Sequence, residues 1–147
     1  MGPFNLVLVP KDLSWNLDSH GQDFFQAMTD VTTYMSSATD VAPKYFLSPA
    51  ELQGRHVSHA LSTQLLNPQS ALCRVEADLC AMYDFAYHRA VNFPAKDAVI
   101  ITVTPAFNTF SVDGQHFVDK AHDAIDANPL KNFNVLLCGV EVCFPFV

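Results

Sequence analysis

Apolar positions along the chain fall into runs and stripes whose period switches between strand-like and helical. Phe4-Asn5-Leu6-Val7-Leu8-Val9 reads as a first strand closed by Pro10, which has no N–H to give a sheet ladder. After a connection carrying the single tryptophan, Trp15, the tetrad Ser19-x-x-Gln22 has capping-box form. It predicts a helix to about Met35, with Phe24, Met28, Val31 and Met35 on one buried stripe. Residues 36–46 show no period and read as a loop. Ser48-Pro49-Ala50-Glu51 combines a cap, a proline at the first helical position and a reciprocal acid, so a second helix is expected to about Leu66. A third helix covers about residues 69–91, with Leu72, Val75, Leu79, Met82 and Phe85 or Ala86 on its core face.

The run Ala98-Val99-Ile100-Ile101-Thr102-Val103-Thr104 has no polar face and reads as a strand buried on both sides, stopped by Pro105. Beyond it, Phe107, Thr109, Phe110 and Val112 fit a short edge strand with Asp113-Gly114 as a hairpin turn. The alternative is a helix capped by Asp113, with Phe117, Ala121, Ala124 and Ile125 facing inward. The helix is preferred because its pattern lasts three turns and stops at Asn128-Pro129. Residues 133–144 read as one long strand with Leu136, Cys138, Val140, Val142 and Phe144 on one side. The expected fold is a single α/β domain, with α+β as the alternative. Its mixed sheet has three to five strands and about four packed helices, in the order β-α-α-α-β-(β)-α-β. If the last strand runs parallel to residues 98–104, the crossover between them is right-handed.

Composition adds a surface problem. The 147 residues are 50% hydrophobic and 16% charged, against about 25% charged in an average soluble domain. Neutral polar residues supply part of a surface, but twelve phenylalanines are many for one small core. That favours coverage of some surface by another subunit. The net charge is −7, and the eight basic residues are scattered from Lys11 to Lys131. No basic stripe exists for a phosphate backbone or an anionic bilayer, so neither nucleic acid nor membrane is an expected partner. The first residues lack a basic n-region and a cleavage site, and no N-x-Ser/Thr sequon occurs. A cytoplasmic or otherwise intracellular protein is expected, a mature secreted chain being the alternative.

Glu76, Cys80, Asp84 and His88 recur every four residues on the third predicted helix, with Tyr87 beside the end of the row. A carboxylate one turn from an imidazole can orient it, and such a pair can share a metal. His88, Asp84 and Cys80 are therefore the catalytic candidates, weighed against an ordinary solvated helix face. His56 and His59 lie on adjacent turns and, with His88 or His20, are the candidate metal ligands; hydrogen-bonded histidines are the plainer account. No His-Glu-x-x-His, Gly-rich phosphate loop or G-x-S-x-G elbow is present, and no cofactor is expected. Cys73 and Cys80 stand about 10 Å apart on a continuous helix. That is beyond the ~7 Å at which cysteines bridge. Cys138 and Cys143 fall on opposite faces of one strand. All four cysteines are therefore expected to be reduced, which agrees with an intracellular setting. Cys138, before Gly139, is a further nucleophile candidate.

The C-terminal Val142-Cys143-Phe144-Pro145-Phe146-Val147 is strongly apolar, and Phe144, Phe146 and Val147 are the candidate interface residues. The leading expectation is a non-enzymatic protein–protein interaction or assembly subunit whose partner is itself, as a homo-oligomer. A small metal-binding protein or His/Asp-dependent enzyme is the second reading. A binder of an apolar small molecule in a phenylalanine-lined pocket is the third.

Overall fold

A computed structural model describes residues 4–106 and 112–139, together with the backbone of 143–144. In chain order the elements are β1 (Phe4–Pro10), α1 (Gly21–Thr39), β2 (Phe46–Leu47), β3 (Glu51–Leu52), β4 (Arg55–His56), α2 (His59–Leu65), α3 (Ala71–Val75), α4 (Ala77–Ala90), β5 (Val99–Val103), α5 (Val112–Ala127), β6 (Phe133–Cys138) and β7 (Cys143–Phe144). A single 3-10 turn, Pro43–Tyr45, precedes β2. Helices and strands share one hydrophobic core, as an α/β domain requires. The main sheet has five strands in the order β2-β5-β1-β6-β7, and β3 and β4 form a separate hairpin.

Every pairing in the main sheet is antiparallel, so the α+β alternative describes it better than a mixed sheet. β5 and β6 do run in the same direction, but β1 lies between them and pairs with both. Alternation along the central strands directs Phe4, Leu6, Leu8, Val99, Ile101, Val103, Phe133, Val135 and Leu137 to one face, which is sealed. On that face Phe4 stacks on Phe117 of α5 at 4.7 Å between ring centroids, and Phe133 meets Phe24 of α1 edge-on at 4.9 Å. The inward stripes of α1 (Phe24, Met28, Val31, Met35) and α5 (Phe117, Ala121, Ala124, Ile125) are those expected from sequence. The alternative edge strand over Phe107, Thr109 and Phe110 lies outside the described residues; Val112 begins α5.

β5 is not buried on both sides. Val99, Ile101 and Val103 are fully buried, whereas Ile100 and Thr102 are half-buried, because among the described residues no helix covers the second face as α1 and α5 cover the first. At the start of α1, Ser19 does not cap: His20 holds the N-cap position without a side-chain capping bond, and Ser19 exchanges hydrogen bonds with Asn16 instead.

The larger corrections fall between β2 and β5. Ser48-Pro49-Ala50-Glu51 forms a tight turn rather than a helix start: Ser48 and Glu51 exchange two backbone hydrogen bonds of 3.1 Å, and Ser48 Oγ accepts from the Ala50 N–H. Hydrogen bonding by Ser48 serves a turn as well as a cap, and here the neighbouring hairpin decides. Gln53 and Gly54 at φ 52° and 80° close β3 onto β4, a geometry in which only glycine is free of side-chain strain. The helix begins ten residues later than expected, at His59, where Ser58 Oγ accepts from the Leu61 N–H.

The predicted helix over residues 69–91 is broken at Glu76, which has φ −115° and ψ 58° and ends α3 while opening α4. This break overturns the reading of Cys73 and Cys80 as unpaired. Their Cα atoms are 5.7 Å apart and their sulfurs are joined in a disulfide. The separation of about 10 Å belonged to a continuous helix. Cys138 is disulfide-bonded as well, so the expectation of reduced cysteines fails, and with it the inference of a reducing compartment. Nor do Cys138 and Cys143 occupy one strand: they are directly opposite partners on β6 and β7, which turn back on each other. No helix among the described residues is long and apolar enough to cross a membrane.

The break also turns α4. Its buried residues are Cys80, Tyr83 and Tyr87, while Val75 of α3 and Met82 and Phe85 of α4, expected in the core, are 80%, 40% and 64% exposed. The tyrosine can be buried because its hydroxyl is satisfied. Tyr83 Oη lies 2.7 Å from both the Pro49 carbonyl and Ser62 Oγ, donating to the carbonyl and sharing the serine's proton.

Candidate functional site

Two surfaces flank α4 and carry the residue types that matter for function. The first is a polar cleft of about 300 Å³ between α2, α4 and the turn that precedes β5. Asp84 and His88, one helical turn apart, meet here: His88 Nδ1 is 2.9 Å from the Asp84 carbonyl oxygen and 3.4 Å from its Oδ1. A carbonyl only accepts, so Nδ1 carries the proton and Nε2 is the free base when the ring is neutral. Both side chains are about half exposed, at 54% and 55%, which makes this a solvent-screened pair. The His88 ring lies flat on Phe93, 4.6 Å between centroids.

The turn that presents Phe93 is built by Asn92. Its Oδ1 accepts from the Asp97 and Ala98 N–H groups, and its Nδ2 donates to Asp97 Oδ1 at 2.6 Å. The Leu17 N–H donates to the Lys96 carbonyl, tying the segment before α1 to the same turn. Lys96 Nζ then pairs with Asp18 at 3.3 Å and stands 5.4 Å from the centre of the Phe93 ring. The opposite wall comes from α2. His59 packs against Phe25 and over Gly21, where an added Cβ would run into the imidazole. Burial and the facing Asp18 carboxylate push the Tyr87 phenol above the ordinary tyrosine range.

The structure therefore brings His59, Asp84 and His88 to one cleft. His56 lies apart from it, 3.5 Å from Thr29 Oγ1, in a depression that His59 also borders. His20 is elsewhere, stacked flat on Trp15 at 3.8 Å. Cys80 offers no thiolate, since its sulfur is bonded to Cys73; the same holds for Cys138 as a nucleophile. Glu76 sits at the helix break rather than in the row. No group of three His, Cys, Asp or Glu side chains converges on a metal position among the described residues. Sequence reasoning missed Asp18, Phe93 and Lys96, which lie far from α2 in the chain and join it only in space. The Asn92-to-Ala98 turn was the available signal, through Asn92 and the Phe93-Pro94 pair.

The second surface is the uncovered face of the sheet. Asn5, Val7, Val9, Ile100, Thr102 and Leu136 are half-buried on it, Asn134 is exposed, and Cys138, opposite Asn5 at the end of β6, is buried. Register sets Val7 directly between Ile100 and Leu136, and Asn5 opposite Thr102, whose hydroxyl donates to Asn5 Oδ1 at 3.1 Å. No charged residue belongs to this set. At its margin, Leu47 (44% exposed) and Phe85 border a hollow of about 500 Å³ floored by Ile100 and Thr102. The guanidinium of Arg89 lies over the Phe85 ring, 5.3 Å from its centre. Of the interface residues expected from sequence, Phe146 and Val147 and the side chain of Phe144 lie outside the described residues.

The chain matches no known protein-family model and no curated protein.

Proposed function

We propose that this protein works by association through the uncovered sheet face, as a subunit that assembles with copies of itself. The observation that carries the reading is the sheet face on which Val7, Val9, Ile100 and Leu136 are only partly buried by the described residues, extended at its margin by the exposed Leu47 and Phe85. A row of apolar side chains without charge, contiguous with an exposed phenylalanine, has the composition of an interface centre. On a chain of net charge −7, a charge-free face is also where two copies meet with least repulsion. Phe144, Phe146 and Val147 belong to this reading as a further contact at the C-terminal end.

The two disulfide-bonded sites favour an oxidising compartment over the cytoplasm. The His/Asp-dependent enzyme remains the second reading, supported by Asp84, His88 and His59 sharing one cleft, but without a thiolate from Cys80.

Size exclusion with light scattering tests the assembly reading. The full chain should run as a defined oligomer, and Phe85→Glu combined with Ile100→Lys should run as a folded monomer. A monomeric full chain overturns the proposal.

A further inference from the structure

We propose that the cleft beside α4 is a binding site for a small organic cation, an alkylated ammonium group. Independently of the assembly reading, it rests on ring geometry, charge and an occupant supplied by the chain itself. Phe93 and Tyr87 meet edge to face, with 6.1 Å between centroids and 65° between planes. Phe25 and His59 are tilted at 56° and 5.3 Å. A ring attracts a positive charge with its face and not with its edge, and needs no hydrogen bond to do so; the Lys96 ammonium, 5.4 Å from the centre of the Phe93 ring, is placed to feel that attraction. At about 300 Å³ the hollow suits a small head group rather than an extended ligand.

Charge points the same way. Asp18 and Asp84 line the cleft against one ammonium, that of Lys96, so with neutral histidines it carries a negative excess. A cation is already held there: Lys96 Nζ lies over Phe93 and against Asp18, with its side chain only 28% exposed. Lys96 thus behaves as an internal ligand that a free cation must displace. An alkylated ammonium is the better competitor, because it is weakly hydrated and has few or no N–H groups for the aromatic part of the lining to leave unpaired. A metal ion fits less well, since the described residues give no converging set of three ligating side chains.

The test is calorimetric titration of the full chain with tetramethylammonium and with choline, using sodium and inorganic phosphate as controls. The intact protein should bind both organic cations weakly and saturably. Lys96→Met removes the internal competitor and its charge, and should tighten binding about tenfold, or 1.4 kcal/mol. Adding Phe93→Ala to Lys96→Met should abolish that gain, and Asp84→Asn should weaken binding severalfold. These side chains lie at the surface, and circular dichroism on each variant confirms that it is folded. No saturable binding to Lys96→Met overturns the proposal. So does binding that survives Phe93→Ala, or phosphate binding that depends on Lys96.

Discussion

The two faces of the main sheet are made by the same strands, yet the described residues seal only one. Leu6, Leu8, Ile101 and Leu137 lie beneath α1 and α5 and are at most 1% exposed. Their immediate neighbours Val7, Ile100 and Leu136 are as apolar but only partly buried, with α4 reaching only the margin. Hydrophobicity along a strand reports what a face needs, whereas the arrangement of helices decides whether the chain itself meets that need. An apolar face that the fold leaves open is where a second molecule gains most from docking.

The sharpest way to test that contrast is to truncate adjacent residues of β1. Leu6→Ala on the sealed face should cost about 2–5 kcal/mol in denaturant unfolding, since it opens a cavity that cannot collapse. Val7→Ala, one residue on, should cost the isolated monomer less than about 1 kcal/mol. Equal losses at the two positions would mean that the second face is sealed too.

Next in size is the disulfide that pins α3 against α4 at the open margin. Closing the short loop between Cys73 and Cys80 restricts the unfolded chain by about 2.5 kcal/mol on the chain-entropy account. Cys73→Ser should lower stability by about that much and loosen the presentation of Met82 and Phe85. Hydrogen exchange at the Glu76 break would report it, and unchanged protection through 71–90 would count against a tether role.

The tyrosines on the helices separate well-partnered from poorly partnered burial. Desolvation holds the phenols of Tyr34, Tyr83 and Tyr87 above the ordinary value of 10.0. Above that value the unfolded chain gives up protons that the folded chain keeps, so stability present below pH 10.0 is lost as pH rises. The loss approaches about 1.4 kcal/mol per pH unit for each phenol while only the unfolded form ionises. Thermal melts between neutral pH and pH 11 or so should show it, less steeply in Tyr83→Phe. At neutral pH the two extremes differ. Tyr83→Phe surrenders hydrogen bonds to Pro49 and Ser62, at about 1 kcal/mol or more, while Tyr34→Phe removes a buried hydroxyl without a partner and should be neutral or stabilising.

The smallest effect on stability is expected at the open margin. Phe85→Ser should change monomer stability by no more than about 0.5 kcal/mol, while shifting the oligomer toward monomer. A large destabilisation would instead make Phe85 a core residue and remove the basis for docking.

How much of this was legible beforehand differs by region. Within the candidate cleft, Asp84 and His88 were readable because one helical turn separates them, and helix geometry alone brings them together. Asp18, His59, Phe93 and Lys96 were not readable as a group, because only packing of the first loop, α2 and the turn before β5 makes them neighbours.

For the protein as a whole, the sequence by itself determined β1, β5 and the inward stripes of α1 and α5. In those segments propensity and period agree, so no distant contact had to arbitrate, although the capping signal at Ser19 did not hold. Only the tertiary structure decided the turn at Ser48, the break at Glu76, the face that α4 buries and the reversal between β6 and β7. There the local preferences differ by a few tenths of a kcal/mol per residue, and long-range terms outweigh them. One such term is the bridge between Cys73 and Cys80. Others are the satisfied burial of Tyr83 and the pairing of Cys138 opposite Cys143.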